Sequence, residues 1–153
     1  MKPLDTEGTL VAREMIQRLV TLARDMNDEP KLAMALHTQG HSFVLSDELE
    51  AAEKCFDESR EISLRLGDKR SAALGLVMLG FVAVSGGRVE EGLPKVVQGF
   101  GDLEADDQAR ALVLVRLGEA AKKSDKKRFE AALKAASRSL GAEVQAEILK
   151  ALG

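Results

Sequence analysis

Apolar and small residues advance along this chain in steps of three and four, the spacing that puts side chains on one helical face. Leu36, Gly40 and Phe43 make one such stripe, Ala52 and Phe56 the next, with short polar turns between stripes. The pattern predicts helices over about 7–26, 29–45, 48–66, 69–85, 88–100, 107–122, 126–139 and 142–152, joined by turns too short for anything but antiparallel neighbours. Punctuation supports these limits independently. Asp28, Asp68 and Asp106 stand where a carboxylate can accept bonds from the free N–H groups of a first helical turn. Asp47 with Glu50 three residues on has capping-box spacing, and Gly67 supplies a C-terminal stop.

The stripes repeat. Adding 40 to Leu36, Gly40, Phe43, Ala52 and Phe56 gives Leu76, Gly80, Ala83, Gly92 and Val96, and subtracting 40 from the last two gives Ala12 and Ile16. A third copy, Leu114, Leu117, Gly118 and Ala121, is displaced by 38 from the second, while Ala132 and Ala136 return to 40. The repeat predicts one domain over 1–153: a half repeat (7–26), repeat 1 (29–66), repeat 2 (69–103), repeat 3 (106–140) and a partial repeat or cap (142–153). One segment conflicts with a regular helix. Pro94, with Gly92, Gly99 and Gly101 around it, predicts that the helix from 88 starts late or kinks, because Pro94 cannot bond back to Glu90.

The spacing Leu36-x2-Gln39-Gly40-x2-Phe43 followed by Ala52-x3-Phe56 resembles the tetratricopeptide repeat signature, and Leu76, Leu79, Gly80, Gly92 and Leu114, Leu117, Gly118, Ala132 follow it. The 40-residue period, with Leu66 to Asp68 at a junction, is similar to the longer-helix variant of bacterial regulator sensor arms. HEAT-type repeats, whose period is also near 40, are the alternative. The resemblance implies an all-α, right-handed superhelix of seven to eight helices in antiparallel pairs. Its concave face would carry Met34, His37, Thr38, His41, Val44 and Leu45 from repeat 1, and Leu74, Val77, Met78, Phe81, Val84 and Ser85 from repeat 2. Repeat 3 would add Leu112, Val115, Arg116, Glu119, Lys122 and Lys123. Family members that grip a C-terminal carboxylate use Lys and Asn at positions matching His37, His41, Val77 and Phe81, so that clamp is missing here.

Composition sharpens the fold class. There are 21 Ala and 22 Leu against 15 Val plus Ile, with no Tyr or Trp, so residues that favour pleated sheets are scarce. The 22 basic and 25 acidic residues leave a net charge of −3, without the basic excess of a nucleic-acid binder. The charge is unevenly placed: 47–61 holds seven acidic and two basic residues, and 122–128 five basic and one acidic. The lone Cys55 excludes an internal disulfide. No apolar run reaches the length of a membrane span, so a cytoplasmic protein is expected.

The chemistry-bearing residues are few. His37 and His41 share a helical face at a spacing that suits two metal ligands, but a third is not evident, so no metal or cofactor is expected and polar recognition is the reading. No phosphate loop, nucleophile elbow or zinc-protease motif occurs, so no enzyme is expected. The sequence therefore predicts a protein-interaction module that takes a partner's peptide or helix in an apolar groove. Met34, His37, His41, Leu74, Val77, Met78, Phe81 and Val84 would form the contact, with Arg116, Lys122 and Lys123 orienting an acidic part of the guest. The alternatives are a self-associating repeat protein and the regulatory arm of a transcription or signalling system.

Overall fold

A computed structural model describes residues 7–153. Among them are eight α-helices and one 3-10 turn, with no strand. The helices are α1 (Glu7–Asp25), α2 (Glu29–Leu45), α3 (Leu49–Leu66), α4 (Lys69–Ser85), α5 (Val89–Asp102), α6 (Ala109–Lys123), α7 (Lys126–Ser137) and α8 (Ala142–Leu149), and a final turn, η1, spans Lys150–Leu152. Seven fall within about two residues of their expected limits, and α8 ends three residues early, its last expected turn being η1. The helix carrying Pro94 is the informative case: α5 begins at Val89 and continues through the proline to Asp102. Pro94 is exposed and removes one N–H from the early part of the helix, while Leu93, Val96, Val97 and Phe100 are buried and hold the segment.

The turns explain the period. Asn27, Asp47, Gly67 and Gly87 all have positive φ, at 53°, 60°, 72° and 85°, and they stand twenty residues apart. At each, the next residue's N–H donates to the carbonyl five positions back: Asp28 to Ala23 (2.9 Å), Glu48 to Phe43 (2.8 Å), Asp68 to Ser63 (2.9 Å) and Arg88 to Ala83 (2.9 Å). This is the left-handed stop that satisfies the last carbonyls of a helix. The 40-residue repeat is thus two 20-residue helix-and-stop modules. Alternate junctions then differ in how the next helix starts. Asp28 and Asp68 accept from Lys31 N (3.2 Å) and Ser71 N (3.0 Å), and the backbone and side-chain bonds from Ser71 hold the Asp68 carboxyl below its usual range.

Two expected caps are placed otherwise. Asp47 is the left-handed residue of its turn rather than the first member of a capping box, and Glu48, at the cap position, makes no side-chain capping bond. Before α6 it is Asp107, not Asp106, whose carboxylate accepts from Ala109 N at 2.9 Å. Here the module breaks, since α5 and α6 both end in extended residues, Leu103 and Ser124.

Contacts divide the chain into two compact units, 1–75 and 76–153, a division that falls inside α4. In the first, α2 packs along both α1 and α3. Phe56 is fully buried against Gly40, where an added Cβ would lie 2.7 Å from the ring, and Ser59 donates to the carbonyl of Ala33 at 2.7 Å. A polar relay ties the three helices: Cys55 Sγ donates to Gln39 Oε1 (3.4 Å), and Gln39 Nε2 to Gln17 Oε1 (2.8 Å).

In the second unit Gly80 repeats the packing of Gly40 one period on. A Cβ there would meet Val96 and, at 2.6 Å, the carbonyl of Gly92. The third copy departs. Gly118 faces the carbonyl of Ala151, so α6 meets the η1 segment where its counterparts meet the following helix, and α7 packs on α5. Arg110 closes the loop between α5 and α6: its guanidinium lies 4.7 Å from the Phe100 ring centre and donates to the carbonyl of Leu103 at 3.0 Å.

Candidate functional site

The first unit contains a groove of about 250 Å³ between α2, α3 and the start of α4. Met34, His37 and Thr38 line it from α2, Ser59, Ser63 and Leu66 from α3, and Ser71 and Leu74 from α4. Three residues expected to bind a partner, Met34, His37 and Leu74, therefore meet in one place. Met34 is 70% exposed and Leu66 is 45% exposed at the rim. The hydroxyls of the floor are already used: Ser59 donates to Ala33 O, Ser63 to Ser59 O and Thr38 to Met34 O. What faces a guest is apolar surface; the His37 imidazole and the Asp68 carboxylate beside it are engaged within the unit, by His41 and by Ser71.

His37 and His41 are brought together as their spacing requires, with Nε2 atoms 3.2 Å apart and ring centres at 4.8 Å. One nitrogen must accept in that bond, so one imidazole is neutral. Both rings stand edge-on to Phe56, at 5.2 and 5.4 Å, which fixes them against the α2–α3 contact. No group of three His, Cys, Asp or Glu placed to hold a metal ion occurs among the described residues. Cys55 is buried, and burial, with the Glu58 carboxylate, raises its thiol above the usual range, the opposite of an activated nucleophile.

The second unit has a larger cleft, about 790 Å³, between α6, α7 and the α8–η1 end. Val115, Glu119 and Lys122, all expected on the binding face of repeat 3, line it together with Leu114 and Gly118. Its rim alternates Lys122, Lys126 and Lys150 with Glu119, Glu130 and Glu147, so it offers no net charge to an acidic guest. The basic turn before α7 is partly used in packing. Arg128 grips the Glu90 carboxylate with two bonds of 2.7 and 2.6 Å and also donates to Gly87 O, which drives the Glu90 carboxyl down to about 2. Lys123 is exposed outside the cleft lining.

The remaining expected contact residues sit elsewhere. Val77, Met78, Phe81 and Val84 are buried, at 9% exposure or less, and have little surface to present. The reason lies in α4 itself, which is apolar on every side from Ala72 to Val84, so no single face could be assigned to solvent. Arg116 reaches Met78 Sδ at 3.1 Å, so this cation rests on a buried thioether. The sequence reading missed the floor residues Ser59 and Ser63, although two small polar residues four apart on an apolar face are a sign of close helix approach. It also missed Glu147 and Lys150, which reach their cleft only through the path of the chain end.

Among the described residues no helix is long and apolar enough to cross a membrane. No family model, no curated protein and no solved structure matches this chain.

Proposed function

We propose that this protein is a tetratricopeptide-like interaction module that binds a segment of another protein, and that the α2–α3 groove of the first unit is the contact. The observation that carries this reading is a groove with a satisfied polar floor and an unsatisfied apolar rim. A volume of about 250 Å³ lies below the roughly 300–1,000 Å³ typical of metabolite pockets and suits one or two side chains of a peptide. Met34, a flexible thioether, adapts to different apolar guests, and the half-buried His37 ring gives the groove a polar edge. The guest would be an apolar segment.

Affinity capture followed by mass spectrometry tests the reading, comparing the native chain with Leu66→Arg and His37→Ala. Arginine at the end of α3 is compatible with the helix and places a charged stem across the rim. Partners held by the native chain should be lost with Leu66→Arg and reduced with His37→Ala, at unchanged helicity. An identical set of partners for all three proteins retires the groove as the binding site.

A further inference from the structure

Helix α1 and Met26 of the turn after it carry apolar surface that the other described residues of their unit leave uncovered. Val11, Met15, Leu19, Leu22 and Met26 are between 50 and 63% exposed, and Met34 of α2 continues the patch across a cavity of about 240 Å³ lined by Leu19, Leu22 and Met26. With ordinary side-chain areas these six expose on the order of 700 Å², above the roughly 300–600 Å² of the largest patch on a typical monomer and close to the roughly 800 Å² each partner buries in a stable complex. One repeat on, two of these positions are covered. Subtracting 40 from Cys55 and Ile62, both buried in α3, gives Met15 and Leu22, which have no such cover.

The order of the residues identifies what fits. Met15, Leu19, Leu22 and Met26 are spaced four, three and four apart, the seam of two helices packed side by side. Turned end for end, the seam matches itself: Met15 falls on Met26 and Leu19 on Leu22. The flank has the same property, because reversal brings Arg18 beside Asp25, and neither residue forms an ion pair with any described residue. The other arginines of this region are engaged within the unit, Arg13 with Glu48 and Arg24 with Glu58, both at 2.9 Å.

We infer that α1 is a two-fold dimerisation helix, packed antiparallel against α1 of a second copy, with Leu19 against Leu22, Met15 against Met26, and Arg18 of each chain facing Asp25 of the other. A two-fold contact of this kind closes on itself and gives dimers, not filaments. It involves neither Leu66 nor His37 and shares only Met34 with the groove reading, so Leu19→Asp and Leu66→Arg test the two separately.

Light scattering and sedimentation of the whole chain from about 1 to about 500 µM test it. The native chain should dimerise, and Leu19→Asp, at a mostly exposed position, should weaken the dimer at least about 100-fold at unchanged helicity by burying unpaired charge in the seam. Arg18→Asp and Asp25→Arg should each raise the dissociation constant roughly tenfold, since each creates two like-charge contacts, and the double variant should restore most of the loss. Should Leu19→Asp fail to fold, the two charge reversals decide alone. A monomer at every concentration, including one whose α1 takes a helix of a different protein, overturns the inference. So does a dimer indifferent to Leu19→Asp, or a double reversal weaker than either single one.

Discussion

Gly40, Gly80 and Gly118 hold the same place in the 40-residue pattern, yet a methyl group added to each would meet different neighbours. At Gly40 it would press on the buried Phe56 ring at 2.7 Å; at Gly80 it would press on backbone, Gly92 O at 2.6 Å and Val96 N at 2.7 Å. A ring can tilt, whereas two helix backbones must separate. Alanine also gains about 1 kcal/mol over glycine in helix propensity, which opposes the clash. Gly40→Ala should therefore destabilise the protein by about 1 kcal/mol, and Gly80→Ala by about 3 kcal/mol. Gly118→Ala should be neutral or slightly stabilising, because its nearest neighbour, Ala151 O, stands at 3.2 Å, where a shift of a few tenths of an ångström relieves the contact. Urea unfolding of the three variants gives the order directly; a Gly118→Ala loss as large as that at Gly80 would mean that the third repeat packs like the second after all.

Between single residues and the fold stand the helix-and-stop modules. Their left-handed positions are filled by Asn27, Asp47, Gly67 and Gly87, and only glycine adopts that conformation without steric penalty. Nothing lies within 4 Å of the Cβ that would be added at Gly67, so a substitution there tests backbone conformation alone. Asp47→Gly should raise stability by about 0.5–1 kcal/mol and Gly67→Ala should lower it by about 1 kcal/mol. Thermal melts that move the other way, or not at all, would show that the stops do not depend on these residues. The same modules explain why helix limits were readable from the chain. Each limit combined an apolar stripe with a turn residue, and Asp47, one of the two caps placed otherwise, is a residue equally suited to capping and to left-handed backbone.

At the scale of the whole molecule, long-range polar bonds complete what apolar stripes begin. Arg128 of α7 and Glu90 of α5 are 38 residues apart in sequence and joined by two short bonds. Because the Glu90 carboxyl falls from about 4.5 to about 2 in the folded chain, the pair stabilises fully above pH 4.5 and its contribution is lost as pH falls through 4.5 towards 2. Glu90→Gln should thus lower the melting temperature at pH 7, by a margin that shrinks as pH falls below 4.5 and is small near pH 2. A difference between the two proteins that persists unchanged at pH 2 would place the role of Glu90 elsewhere than in this ion pair. The basic turn from Lys122 to Arg128, which read as free positive potential, is in part this internal fastening.

Helices, turns and the first two packing glycines could be derived from the chain because they depend on neighbours within about 20 residues, where periodicity and turn chemistry act. Met34 and the His37–His41 pair were legible for the same reason: i, i+4 spacing on one helix fixes their proximity whatever surrounds them. The fate of Val77, Met78, Phe81 and Val84 was not, since a helix apolar on all sides carries no mark of which side is covered. Nor was the placing of Gly118 against Ala151, the burial of Arg110 on Phe100, or the bare face of α1. Each depends on which helix arrives from far along the chain, and burial is a property of that arrival rather than of the residue.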